Sequence, residues 1–157
     1  SKENIKSLSN PTTKGIINDV TKEIKTMGVD EHFSKSDPEV IQIWNQLLEK
    51  FNELDDINIE SIPRYITFSY NNKKICFIHV RKNKLSIHLR RGTIHPDGSK
   101  QKKYFNLDDP KNISQEKTWM HKSGQQGGHF IIPVTKGSDI EYIMFLIKQK
   151  YNQIVNY

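Results

Sequence analysis

The segment from Ile57 to Leu89 constrains the fold of this chain more than any other part of the sequence. Apolar and polar residues alternate along it, and β-branched and aromatic residues are dense. That period of two is typical of β-strands with one buried face. Short polar breaks at Asn71-Asn72 and Lys82-Asn83 separate the strands, so the pattern predicts an antiparallel β-meander.

The two breaks also predict the register of the meander. A two-residue turn at Lys82-Asn83 pairs apolar residues on one face: Val80 with Leu85, Ile78 with Ile87, and Cys76 with Leu89. At Asn71-Asn72, a three-residue turn sets Phe68 against Cys76 and Ile66 against Ile78, whereas a two-residue turn sets Phe68 against Ile75. We expect the three-residue turn because it keeps one continuous core face.

The other face of this meander carries basic and aromatic side chains. The register places Phe77 opposite His88 and His79 opposite Ser86, and the basic residues continue into the loop that follows. Lys and Arg neutralise phosphates, and aromatic rings stack on exposed bases. The candidate nucleic-acid-binding residues are His79, Arg81, Lys84, His88, Arg90, Arg91, Lys100, Lys102, Lys103 and Tyr104. A solvated sheet face without a partner would show the same residues.

Helical spacing is found on both sides of the meander. Apolar residues predict a first helix from Thr12 to Met27 that ends at Gly28. Asp37 as N-cap and Pro38 in the first turn predict a second helix. Ser138 and Glu141 have the spacing of a capping box and predict the start of a closing helix.

The remaining segments are less regular. Residues 91–128 are predicted to form a long loop, in which Asp108-Asp109-Pro110 could start a short helix. His129 to Val134 is predicted to be the last strand, and Pro133 indicates a sheet edge.

Together these elements predict an α+β fold, an antiparallel meander of four to five strands packed on one face by two to three helices. Residues 1–10 are expected to be disordered or a linker, and residues 11–157 to form a single domain.

Composition restricts the cellular setting and the class of partner. Cys76 is the only cysteine, so no disulfide can form within the chain, and a reducing, cytoplasmic location is expected. No apolar run approaches the roughly 20 residues needed to cross a bilayer. The formal charge of +6 favours polyanionic partners, although lysine-rich usage of this kind also arises from an A+T-rich genome.

The sequence contains no recognisable catalytic centre, and we predict neither a metal nor a cofactor. The acidic residues precede the predicted strands or lie in the long loop, where turn and capping roles are common. His121 and His129 are the best candidates for a metal-dependent hydrolase, but no histidine pair has the helical spacing of zinc proteases. The glycine-bearing segment between them, HKSGQQGG, lacks both phosphate-loop spacings and favours a turn.

Residues 38–154 resemble a known family in the motifs RYITFSYNNKKICFIHVRKNKLSIHL, NLDDPKN and SDIEYIMFLIKQKY. The family is the domain of unknown function numbered 5655, also called a predicted transport protein family. The resemblance implies no catalytic residues, because none is established in the family. Several of its members resemble C-terminal extensions of restriction-type proteins, which implies a DNA-defence context by association.

Two hypotheses from different classes follow. The first is a non-catalytic accessory module that binds nucleic acid, or positions a nuclease on it, through the basic face and loop. The alternative is a protein-interaction domain of a larger complex, which predicts an exposed apolar patch around Ile113, Trp119 and Met120.

Overall fold

Residues 28–156, the part of the chain that the computed structural model describes, form one antiparallel sheet of six strands with helices on one side. In chain order the elements are α1 (Val29–His32), α2 (Pro38–Phe51), β1 (Ile57–Ile62), β2 (Tyr65–Tyr70), β3 (Lys73–Val80), β4 (Leu85–Arg90), β5 (Gln115–Met120), β6 (Gln126–Val134) and α3 (Ile140–Val155). The strand order across the sheet is β1-β2-β3-β4-β6-β5. The predicted α+β class is confirmed, with one strand more than expected. The helix predicted from Thr12 to Met27 lies outside the described residues.

The register of the meander is the predicted one. Ile78 pairs with Ile87 and Val80 with Leu85, and the Arg81 N–H donates to the Lys84 carbonyl at 2.9 Å across the two-residue turn. Ile66 pairs with Ile78 and Phe68 with Cys76, as expected for one core face.

The turn between β2 and β3 differs from the prediction. Tyr70 pairs with Lys73, so the turn has two residues, Asn71 and Asn72, rather than three. The register shifts between Phe68 and Ser69, where β3 contains one residue more than β2. A β-bulge therefore does what the longer turn was expected to do, and it restores the pairing of the core face.

The core lies between this sheet and the helices α2 and α3. Each helix turns one apolar stripe toward the sheet, as its helical spacing predicts. Phe51 of α2 stacks on Phe68 of β2 with ring centroids 3.9 Å apart, and Trp44 lies 5.7 Å from the same ring. Cys76 is fully buried in this core.

The helix starts agree with the sequence in position and differ in detail. Asp37 is the N-cap of α2 with Pro38 behind it, but its side chain accepts no capping hydrogen bond. The N-cap of α3 is Asp139, whose carboxylate accepts from the Tyr142 N–H at 3.3 Å, whereas Ser138 Oγ accepts from the Thr135 N–H at 2.8 Å. The predicted capping box of Ser138 with Glu141 is therefore wrong.

Residues 91–128 contain more structure than the predicted long loop. They include β5 and the start of β6, and Ile94 forms isolated bridges to Lys100 and Gln126. No helix starts at Asp108-Asp109-Pro110. The Asp109 carboxylate instead accepts hydrogen bonds from Ser114 and from the Tyr142 hydroxyl, which fixes this segment to α3.

Pro133 does mark a local edge of the sheet. It pairs with Ser86 of β4 on one side, while the pairing of β6 with β5 on the other side begins only at Ile131. Its missing N–H therefore leaves no partner unsatisfied.

Candidate nucleic-acid interface

The sheet face turned away from the core, here called the open face, carries the predicted histidines. The buried apolar residues of α2 and α3, together with Phe33 after α1, belong to the core on the opposite face. Because side chains alternate along a strand, the chain neighbours of the core residues turn to the open face. Phe77 pairs with His88, which pairs in turn with Ile131, and Arg90 pairs with His129.

Five rings form a continuous row across the open face, here called the aromatic row. It runs over five neighbouring strands, β2, β3, β4, β6 and β5, with one ring from each: Tyr65, His79, His88, His129 and Trp119. Successive ring centroids are 5.6, 4.4, 5.4 and 5.0 Å apart. These spacings are those of packed aromatic pairs, so the rings support one another.

The histidines of the row are neutral groups rather than cations. Burial lowers the pKa of His88 to about 4, and the neighbouring His79 and His129 add to the effect. Burial also lowers the pKa values of His79, near Arg81 and Arg64, and of His129, near Arg90. His88 Nδ1 lies 3.2 Å from His129 Nδ1, so one ring donates and the other accepts. Neutral rings of this kind offer flat faces and hydrogen-bonding edges.

Contacts with Gly127 and with Phe77 hold the row in place. A Cβ on Gly127 would lie 2.6 Å from Nε1 of Trp119, so only glycine lets the indole lie on β6. Phe77 is buried beneath the row, where its ring contacts Tyr65 at 5.1 Å and stacks parallel to His129 at 6.2 Å.

Exposed cations flank the row. The Arg90 guanidinium lies 4.8 Å from the centroid of the Phe77 ring, and Arg81 and Lys84 stand at the turn that joins β3 to β4. Lys117 pairs with His129 on the Trp119 side. Within the described residues, none of these four cations forms an ion pair with a carboxylate. On the outer strand β1, the open face carries an acidic residue, Glu60, which pairs with Thr67 of β2.

Arg91 does not lie on the open face, in contrast to the prediction. It is 2% exposed, and its guanidinium donates to Glu116 at 2.7 Å and to Gln126 at 3.0 Å. The residue after Arg90 points to the other side of the sheet, and there it is enclosed. Arg91 is therefore not part of the open face.

The loop residues predicted for the site lie at one end of the sheet. Lys100 stands over the Tyr104 ring with its Nζ 4.9 Å from the centroid, and Arg91 lies on the same ring at 5.5 Å. Lys102 and Lys103 border a cavity together with Arg90. The predicted residues thus form two groups, one on the open face and one at the end where β4 finishes.

Three members of the aromatic row, Tyr65, His129 and Trp119, were not among the predicted binding residues. The strand β5 reads QEKTWM and is exposed along its whole length, so it shows no apolar alternation. His129 was assigned to the predicted last strand, but its neighbours across the sheet were unknown. Pairing Pro133 with Ser86 would have placed it beside Arg90.

Other candidate sites have less support. Among the described residues, no group of three or more His, Cys, Asp or Glu side chains is placed to hold a metal ion. His121 and His129 border the same cavity, and the glycine-bearing segment between them contains the turn of the β5–β6 hairpin, with Gly124 at φ 90°, and the first residues of β6. Burial raises the pKa of the Cys76 thiol far above its usual range, which suppresses the nucleophilic thiolate.

The fold and the site define an α+β domain with an open sheet face that is both aromatic and basic. Residues 29–154 match the family described as Domain of unknown function (DUF5655), and the chain belongs to this family. The match extends the resemblance seen in the sequence to include α1. No curated protein and no solved structure is similar enough to the chain to count as a match. No helix of the described part has the length and apolar character needed to cross a bilayer.

Proposed function

We propose that this domain is a non-catalytic module that binds single-stranded nucleic acid on its open face. The observation that carries the proposal is the aromatic row, flanked by cations that pair with no carboxylate of residues 28–156. Bases stack on accessible rings, and each stacked base contributes about 1–3 kcal/mol. Phosphates between the bases attract the flanking Arg and Lys side chains.

Trp119 is the principal stacking platform in this proposal. Its side chain is 40% exposed, although the indole already rests on Gly127 and His129. A ring that is fixed in this way loses little conformational freedom on binding. The neutral histidines extend the platform, because their burial keeps them uncharged at neutral pH.

A single strand suits this surface better than a duplex. The row is formed by the side chains of a sheet, and no described helix projects from the open face into a groove. The bases of a duplex are stacked on one another and present only their edges. Unpaired bases can turn toward the rings while the backbone follows the cations.

In a larger assembly, the same binding would hold a strand for a nuclease located elsewhere. The restriction-type context that the family resemblance implied suggests this use. The protein-interaction alternative has less support, because Trp119 and Met120 lie on opposite faces of β5 and Ile113 packs against the core.

The test is a fluorescence anisotropy titration of the protein with a labelled single-stranded oligonucleotide at several salt concentrations. We expect Trp119→Ala to weaken binding about tenfold, because a stacked base is lost. Arg90→Gln should reduce the slope of log K against log salt by about 0.7, the value for one phosphate contact on a single strand.

Lys148→Gln is the matched control for Arg90→Gln. It also removes one positive charge, but Lys148 is exposed on α3, on the other side of the molecule. It should change the salt slope little. Equal effects of the two charge variants would indicate attraction by net charge alone and would contradict a site on the open face.

A further inference from the structure

A cavity of about 520 Å³ opens at the end of the sheet where β4 finishes and β6 begins. Its volume is in the range of small-molecule sites. Arg90, Trp119 and His129 border it, so it adjoins the aromatic row of the open face. Lys150 and Ile154 of α3 border it from the helical side.

The lining of this cavity is basic throughout. It contains five lysines and two arginines, and no aspartate or glutamate is among the lining residues. Arg91 already pairs with Glu116, but the other cations border one cavity and repel one another, and a bound anion reduces that repulsion. The lining lysines are Lys73, Lys74, Lys102, Lys103 and Lys150.

Among the described residues, Lys150 is a buried cation without a compensating acid. Its side chain is 7% exposed, and its ammonium donates to the Arg90 carbonyl at 3.0 Å and lies 4.8 Å from the centroid of the Phe105 ring. No carboxylate of the described residues pairs with it. Burial, with the nearby Arg90, lowers its pKa to about 8. An anion in the cavity would supply the missing counter-charge.

Arg91 provides a second, independent indication of a ligand. It borders the cavity, and its Nε is the one buried side-chain nitrogen or oxygen of residues 28–156 that has no hydrogen-bond partner. A buried donor without a partner is costly, and such a group calls for an explanation.

We infer that this cavity binds a phosphomonoester, either the terminal phosphate of a nucleic-acid strand or the phosphate of a free nucleotide. A phosphomonoester carries up to two negative charges and three terminal oxygens, which matches a site lined by several cations. Trp119 at the edge of the cavity would stack on the adjoining base. The strand-end form of this inference rests on the proposed function, since the strand would continue along the aromatic row.

The experiment compares two matched pairs of ligands by anisotropy and calorimetry. The first pair is one oligonucleotide sequence with a terminal phosphate, tested at either end, and with hydroxyl ends. The second pair is a nucleoside monophosphate and its nucleoside. We expect the phosphorylated member of at least one pair to bind about tenfold more tightly, as charge-assisted hydrogen bonds imply. The pair that shows the preference identifies the source of the phosphate.

Three variants locate the effect. Lys150→Met and Lys102→Gln should each abolish or sharply reduce the preference for phosphate. Lys102 is exposed, so its substitution does not endanger the core. Lys148→Gln removes a charge from the exposed side of α3, outside the cavity lining, and should keep the preference.

Equal binding within both pairs would overturn the inference, and so would a preference that survives both cavity variants. Binding of the hydroxyl-ended strand tests the proposed function separately. If that strand binds without any preference for phosphate, binding on the open face is supported and the phosphate site in the cavity is contradicted. If only the phosphorylated nucleotide binds, the phosphate site in the cavity is supported and strand binding on the open face is contradicted.

Discussion

Gly128 permits the burial of Arg91, which is the least expected side-chain placement in this domain. A Cβ at position 128 would lie 2.7 Å from Cζ of Arg91 and 3.0 Å from its Nε. The guanidinium has little freedom to move away, because Glu116 and Gln126 both accept hydrogen bonds from it. Glycine at this position is therefore a packing requirement of β6.

Gly128→Ala should lower the free energy of unfolding by about 1–3 kcal/mol, the usual cost of overpacking. Chemical denaturation of the variant and the wild type measures this difference. Gly137→Ala is the control, because a Cβ there meets nothing within 4 Å. An unchanged midpoint for Gly128→Ala would show that Arg91 can move, and its burial would then be unimportant.

The sequence contained part of the information needed to place Arg91. Arg90 and Arg91 are adjacent, and alternation along a strand sends neighbours to opposite faces. Extending the register by one residue would have put Arg91 on the core side. Its partner could not be predicted, because Glu116 lies on a strand whose exposed residues give no periodic signal.

Among the elements, the β2–β3 hairpin shows how turn chemistry and register combine. Asn71 and Asn72 have φ angles of 48° and 64°. Both central residues of a type I′ hairpin turn need such left-handed values. Asparagine tolerates this region better than other residues with a Cβ. The bulge in β3 then corrects the pairing of the core face.

Asn72→Ala should destabilise the domain by about 1 kcal/mol, because alanine loses the tolerance of asparagine for the left-handed region. The turn at Lys82-Asn83 supplies the control: Asn83 is exposed and has no positive φ, so Asn83→Ala should be close to neutral. Thermal unfolding of both variants gives the comparison. Equal effects would mean that backbone conformation at position 72 does not matter.

The elements with one buried face were predictable, and the others were not. The meander and α3 show clear apolar periods, so their positions and pairing followed from the sequence. β5 has no buried face and was assigned to a loop. The bulge was also hidden, because a longer turn and a bulge give the same core pairing.

At the scale of the whole molecule, a chain with a formal charge of +6 places three histidines side by side on one face. Burial lowers the folded-state pKa of His88 from 6.5 to about 4, and it lowers those of His79 and His129 as well. Between pH 6.5 and about 4, these histidines bind more protons in the unfolded chain than in the folded one. These histidines therefore lower the free energy of unfolding as the pH drops from 6.5 toward about 4.

His88→Phe should make this acid dependence shallower, because phenylalanine keeps a ring in the row and binds no proton. Urea denaturation at steps between pH 7 and about pH 4, the folded-state pKa of His88, measures the slope. His121→Gln removes an imidazole that is exposed in the β5–β6 turn, and it should reproduce the wild-type profile. If the slope of His88→Phe equals that of the wild type, the row is protonated without cost to folding. The histidines would then be cations on the open face, and the neutral stacking surface assigned to them would have to be replaced by a purely electrostatic one.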